Sequence, residues 1–333
     1  MADPFYDVRN ALTVGNYHQA VAEASGVRTT LRKAEDIAEF NAERDALLAL
    51  AQIGLGQFET VIAQLASATH PTLRAVRAWA EFCAALANSG NLNKNANNAK
   101  LYETNPALQA PLQKLTEAAE NVDPARVTEA VLAACALLAS GDPTAALKLA
   151  KGWLSELPTP QGPAAMRQHM ELRVIVVESL LRLRRPELAR AEVKSMEQLD
   201  DESVLTVLYS GIVSLYEGVK TRDAYDTALQ RFKEISMRCG QSVLAHNLMA
   251  LAHMGLGDFA SAERSLLDAL AMKSADVDTT ANLAVVSAHL GKAADPTNRY
   301  IQQAAAVAGT WSQSFNAMSA RLDEAILQFS TAA

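Results

Sequence analysis

Leu251-Ala252-His253-Met254-Gly255-Leu256-Gly257-Asp258-Phe259 is the most telling stretch of the chain, because it occurs twice. The segment 201 positions earlier, Leu50-Ala51-Gln52-Ile53-Gly54-Leu55-Gly56-Gln57-Phe58, matches it at six of nine places. Both copies lead into one phrase: glycine, a polar residue, an aromatic, two spacers, then a small residue. It reads Gly257-Asp258-Phe259-Ala260-Ser261-Ala262 here and Gly15-Asn16-Tyr17-His18-Gln19-Ala20 near the start. A weakened copy is Gly56-Gln57-Phe58-Glu59-Thr60-Val61. Asp223-Ala224-Tyr225-Asp226-Thr227-Ala228 has lost its glycine. Positions 223, 257 and 291 are spaced by 34 residues each.

A 34-residue period is that of the tetratricopeptide repeat, two antiparallel helices joined by a tight turn. Glycine sits where the turn needs φ > 0. The aromatic fills the space between helices, and the alanine lets them approach closely. The expected fold is all-α: one α-solenoid of tetratricopeptide type over residues 1–333, with a continuous shared core. Composition agrees. Of 333 residues 50% are hydrophobic and only 5% aromatic, which suits helices rather than sheets. Such arrays are binding scaffolds far more often than catalysts.

The net charge of −7 makes a nucleic-acid partner or direct adsorption to anionic lipid unfavourable. Cys83, Cys135 and Cys239 are odd in number and far apart, the pattern of reduced thiols in a cytosolic protein. The N-terminal residues lack the apolar stretch of a signal or transit peptide. No apolar run approaches the roughly 20 residues of a spanning helix.

Along the chain, hairpins are expected at residues 5–24 and 37–67, then a helix from Pro71 to about Ala87. Residues 88–105 contain Asn91, Asn93, Asn95, Asn97 and Asn98 and read as a loop, since asparagine competes locally with helical bonding. Helices resume at Pro106. Pro158, Pro160 and Pro163 mark a second break. A hairpin over 164–199 turns at Arg185-Pro186, with Leu188 and Ala191 in the aromatic and alanine slots. The most regular repeats occupy 202–307, and a closing helix is expected over 308–333.

No chemistry emerges. His246 and His253 are two turns apart, not at the i, i+4 spacing of a metal pair. Asp276-Val277-Asp278 lacks the glycine and distal glutamate of a calcium loop and reads as a helix cap. Gly54-Leu55-Gly56 and Gly255-Leu256-Gly257 lack the third glycine and preceding strand of a dinucleotide fingerprint. There is no P-loop and no nucleophile elbow. Arg182, Arg184, Arg185 and Arg190 form a basic cluster that Glu187 and Glu192 are placed to neutralise. No enzyme, no cofactor and no metal is expected.

Arrays of this type bind on the concave side, made by the first helix of each pair. In the 34-residue register the groove slots hold Leu244, Asn247, Leu251 and Met254, then Val213, Ala281, Val285 and Ala288, and earlier Leu50 and Ile53. The slots are mostly apolar and lack the cations that would capture a peptide carboxylate. The expected ligand is therefore an apolar protein surface, held by area burial. A transient peptide adaptor or co-chaperone is the competing reading, and it would need charged slots.

Beyond the repeats, the chain resembles the coatomer epsilon subunit family nearly end to end. The resemblance rests on Asp7-Val8-Arg9-Asn10-Ala11 leading into Gly15-Asn16-Tyr17, and on Pro71-Thr72-Leu73-Arg74-Ala75-Val76-Arg77. It rests more specifically on Leu188-Ala189-Arg190-Ala191-Glu192-Val193-Lys194-Ser195-Met196, continued by Leu199-Asp200-Asp201-Glu202. Asp223-Ala224-Tyr225, His289-Leu290-Gly291-Lys292 and Thr297-Asn298-Arg299-Tyr300 complete it. The resemblance implies a non-catalytic subunit of the COPI coat that binds and stabilises the C-terminal domain of the alpha coatomer subunit. It implies other coatomer subunits as further partners, and a role in retrograde Golgi-to-endoplasmic-reticulum and intra-Golgi transport. It implies a cytoplasmic protein, peripheral on Golgi membranes and COPI-coated vesicles, reaching the membrane only through the coat. It also implies a small β-hairpin, for which residues 172–177 and the proline break before them are the candidates.

Overall fold

A computed structural model describes residues 3–89, 101–307 and 310–332. Among them are eighteen α-helices, one 3-10 turn (Pro124–Arg126) and no strand. The helices pair into successive hairpins: α1 (Tyr6–Thr13) with α2 (Tyr17–Gly26), then α3 (Ala34–Gly54) with α4 (Phe58–Gln64). In the third, the short α6 (Leu101–Thr104) precedes α7 (Pro106–Ala118), which packs on α5 (Pro71–Ser89). Then come α8 (Val127–Ala139) with α9 (Pro143–Glu156), and α10 (Pro163–Arg182) with α11 (Pro186–Leu199). The sixth to eighth are α12 (Val204–Glu217) with α13 (Asp223–Cys239), α14 (Val243–Leu256) with α15 (Phe259–Met272), and α16 (Val277–His289) with α17 (Ala294–Ala306). Helix α18 (Thr310–Ala332) ends the array.

One turn geometry recurs. After α1, the Asn16 N–H donates to the Ala11 carbonyl at 2.8 Å, with Gly15 at φ 78°. The same bond spanning five residues joins Gln57 to Gln52, Asp142 to Leu137, Arg185 to Leu180, Asp258 to His253 and Lys292 to Ser287. This is the Schellman termination, in which a left-handed residue lets the next N–H reach back to an otherwise orphaned carbonyl. At the fifth hairpin the left-handed residue is Arg184, φ 58°, the only non-glycine at positive φ among the described residues. Counting from the left-handed residue, the fifth position is fully buried in five of these six turns: Ala20, Val61, Ala146, Ala189 and Ala262. After Gly291 it is the half-buried Pro296. The small-residue slot of α11 is therefore Ala189, not Ala191, which is exposed, and Leu188 is 44% exposed rather than a filler between helices. The missing glycine shifted the sequence register here.

The aromatic slot joins neighbouring repeats. The Tyr17 ring lies on Gly54 so closely that an added Cβ would stand 2.4 Å from it. Tyr225 lies in the same way on Gly218 and Gly255. In the next repeat Phe259 stacks on His289 at 4.2 Å. The two glycines of Gly-Leu-Gly thus have separate duties: the first receives the ring, the second makes the turn.

Residues 172–177 lie inside α10, so the strand reading of that stretch is overturned. Leu172, Ile175, Val176 and Val177 are all buried. Helix α10 packs against α8, α9, α11 and α12, and burial around most of its circumference produces a nearly continuous apolar run that mimics a strand. Of the expected loop 88–105, residues 90–100 lie outside the described residues, Asn88 and Ser89 end α5, and residues 101–104 form α6.

First helices touch first helices along the array, whereas no two second helices make more than marginal contact among the described residues. First helices therefore line the inner side and second helices fan outward. The curvature brings α1 back onto α12 and α13 of the sixth hairpin. Val14, 1% exposed, joins one apolar cluster with Val204, Leu208, Phe232, Ile235 and Leu248. The Asn16 side chain donates to the Cys239 carbonyl at 3.4 Å. Inside the turn, Arg9 pairs with Asp3 at 3.3 Å and with Glu43. Burial lowers the Arg9 pKa and nearby Arg167 lowers it further, while Glu171 and Asp3 oppose the shift. Both Arg167 and Glu171 belong to α10, so α1 faces α10 across the interior.

Candidate interaction groove

Helices α12, α14 and α16 form the inner wall of the last three hairpins, and none of the three carries a lysine or arginine. Their caps fix the entry of each. The Ser242 hydroxyl accepts from the Ala245 N–H at 3.1 Å to open α14. Asp276 accepts from the Thr279 N–H at 3.1 Å and from its hydroxyl at 2.8 Å to open α16. The acidic pair at 276 and 278 is thus used in part for capping, as its position before a helix suggested. Partial desolvation, with the charge of Asp276 adding to it, raises the pKa of Asp278.

The ten groove residues read from the 34-residue register divide by burial. Leu244, Leu251, Val285 and Ala288 are exposed on α14 and α16. Leu50 and Met254 are half-buried. Ile53, Val213, Asn247 and Ala281 are buried. Asn247 is spent on the repeat itself. Its amide donates to the Thr279 hydroxyl at 2.7 Å and to the Val243 carbonyl at 3.0 Å, and its carbonyl oxygen accepts from Asn282 at 3.1 Å. This buried polar ladder fixes the spacing of α14 and α16. Leu244 stands beside Val14, so the first hairpin forms one rim of the exposed face. Met254 lines a recess of 480 Å³ with Val219, Arg222 and Tyr225. The 34-residue register does not reach Val219, 82% exposed, because the α12–α13 turn has no left-handed glycine; its Gly218 receives the Tyr225 ring instead.

Several of the remaining polar groups form structural pairs. His253 Nδ1 is 3.6 Å from Asp258, and burial lowers its pKa. His169, also lowered by burial, bonds the Pro158 carbonyl at 3.0 Å. In the arginine cluster Arg182 meets Glu178 and the Leu138 carbonyl, Arg185 meets Glu187, and Arg190 meets Glu217. Glu192 turns instead to Arg173. Burial pushes the Cys83 and Cys135 thiols up to about 12, which leaves both protonated. Among the described residues no group of three or more metal-ligating side chains converges, and no helix is long and apolar enough to cross a membrane. What this surface presents is exposed aliphatic area at Leu244, Leu251 and Val285.

Comparison with known proteins places the whole chain. The family model described as coatomer epsilon subunit matches residues 1–330. Coatomer subunit epsilon-1 of Arabidopsis thaliana is 27% identical over 306 residues, covering 90% of this chain and 88% of that protein. Coatomer subunit epsilon of Caenorhabditis elegans is 26% identical over 307 residues, covering 91% and 90%. Among solved structures, the APC/C hetero-tetramer Cut9-Hcn1 superposes with a TM-score of 0.57 at 14% identity, over 90% of this chain and 52% of that one. That likeness concerns the helical-repeat fold alone.

Proposed function

The chain belongs to the coatomer epsilon subunit family, and from that premise we propose that it binds and stabilises the C-terminal domain of the alpha coatomer subunit. In this reading it is a non-catalytic, cytoplasmic part of the coat. It serves retrograde Golgi-to-endoplasmic-reticulum and intra-Golgi transport and reaches Golgi membranes and vesicles through its partners. The observation that carries the reading is the inner wall of the last three hairpins. Three successive first helices lack a cation, and Leu244, Leu251 and Val285 are exposed there. A free chain gains nothing by holding three large aliphatic groups in water, whereas a partner helix or hairpin laid along them removes that area from solvent.

The test is co-expression with the C-terminal domain of alpha coatomer, followed by size-exclusion chromatography at high salt. A one-to-one complex that survives salt is expected, because apolar burial is not screened. Leu251→Asp should leave the free chain folded, since the side chain is 37% exposed, and should abolish co-elution by stranding a charge in the interface. A Leu251→Asp chain that still co-elutes would show that α14 is not the contact. Two separate peaks from the unsubstituted pair would remove the reading of alpha coatomer as partner.

A further inference from the structure

Helix α18 stands apart from the rest of the array. Among the described residues it makes more than marginal contact with α17 alone. Its apolar residues Phe315, Met318, Leu322, Ile326 and Phe329 follow one another at steps of three, four, four and three, which places them on one face. They are 36%, 65%, 61%, 56% and 78% exposed. Together they present roughly 550 Å² of apolar surface, at the size where a patch on a monomer marks an interaction site. At its root, Trp311 stacks on Phe315 at 5.1 Å, which stiffens the start of the stripe.

The stripe is symmetrical about Leu322, reading aromatic, aliphatic, leucine, aliphatic, aromatic in either direction. At about 100° per residue, Met318 and Ile326 lie about 40° to opposite sides of the line through Leu322, and Phe315 and Phe329 about 20° to opposite sides. A second copy running antiparallel therefore brings its Met318 level with Ile326 and its Phe315 level with Phe329. At each level the two side chains fall on opposite sides of the seam and interleave. A parallel pair would crowd two arrays together, because each α18 is anchored at its N-terminal end. The antiparallel pair keeps one array at each end of a seam about 30 Å long. It also opposes the helix dipoles. Covering both stripes buries roughly 1,100 Å², just below the range of stable specific interfaces, which fits a reversible association.

We infer that α18 is a two-fold self-association surface, through which two copies of this chain pair antiparallel about Leu322. The contact is separate from the groove on α14 and α16, so a failure of the groove reading leaves it untouched.

Sedimentation velocity of the full chain from about 1 to 200 µM tests it. A reversible monomer–dimer transition is expected, and Leu322→Glu should weaken it at least tenfold while circular dichroism stays unchanged. A monomer over the whole range, or a dimer indifferent to Leu322→Glu, overturns the proposal. Cysteine cross-linking under mild oxidation reads the orientation, with the unsubstituted chain as control for the native thiols. Leu322→Cys should link to itself, and Phe315→Cys should link to Phe329→Cys but not to itself. Self-linking of Phe315→Cys overturns the antiparallel arrangement. Repeating the sedimentation with the C-terminal domain of alpha coatomer settles the occupant. If Leu322→Glu disrupts that mixed complex and the mixed complex holds one copy of each chain, the stripe belongs to that partner and the proposal fails.

Discussion

Arg184 occupies a backbone position that five glycines hold elsewhere in the array, with φ at 58°. A non-glycine residue there costs roughly 1–2 kcal/mol through its Cβ, and the exposed side chain is not needed to hold a neighbour. Arg184→Gly is expected to stabilise the chain by about 0.5–1 kcal/mol, since glycine's extra chain entropy offsets part of the relief. A rise in the urea midpoint would check it. The opposite sign holds at Gly255. A Cβ there would sit 2.5 Å from the Tyr225 ring, so Gly255→Ala should lower stability by about 1–3 kcal/mol in the same measurement. The histidines give the pH dependence. Burial holds the His169 and His253 pKa values below the ordinary 6.5. The unfolded chain then takes up protons more readily near and below pH 6.5, and stability falls as pH drops through that value. His169→Gln should flatten the slope between about pH 7 and 5 in thermal melts. An unchanged slope would mean that His169 protonates equally in both states.

Among the elements, α16 shows how a capping residue serves a repeat. Asp276 holds the first turn through Thr279, and Thr279 in turn accepts from Asn247 of α14. Cap and inter-repeat ladder are therefore one network. Asp276→Ala should cost about 1 kcal/mol for the cap. Double substitution with Asn247→Ala should be non-additive, because both act on Thr279. Additive midpoint shifts would show that the ladder and the cap act separately. Helix α10 illustrates the limit of pattern reading. Four of its residues 172–177 are buried and four helices pack around it, so no clean 3.6-residue alternation survives.

The whole molecule is an array bent until its first hairpin meets its sixth. Val14 is the keystone of that seam, buried among α12, α13 and α14 residues. Val14→Asp should undock the first hairpin while the later repeats, which share local contacts only, stay folded. Hydrogen exchange should then speed up in α1, α2 and the facing parts of α12 and α13, and the radius of gyration should rise. Uniform unfolding instead would mean that the seam is required for the array itself.

The chain's own pattern specified the all-α repeat class, the placement of most turns and the family, because each rests on local chemistry. A left-handed glycine, an aromatic two residues on and a small residue after it are readable wherever they stand, as at Gly15, Gly56 and Gly257. Where the local signal was absent, as at Arg184 and in the α12–α13 turn, the register slipped, and Leu188, Ala191 and Val219 were misplaced or missed. Folding alone could divide the groove residues into the exposed Leu244, Leu251, Val285 and Ala288 and the buried Ile53, Val213, Asn247 and Ala281. Burial depends on what the neighbouring repeat places opposite a residue, and that depends on curvature. Curvature sums small rotations over many hairpins, so the meeting of Val14 with Phe232 is written in no single stretch of sequence.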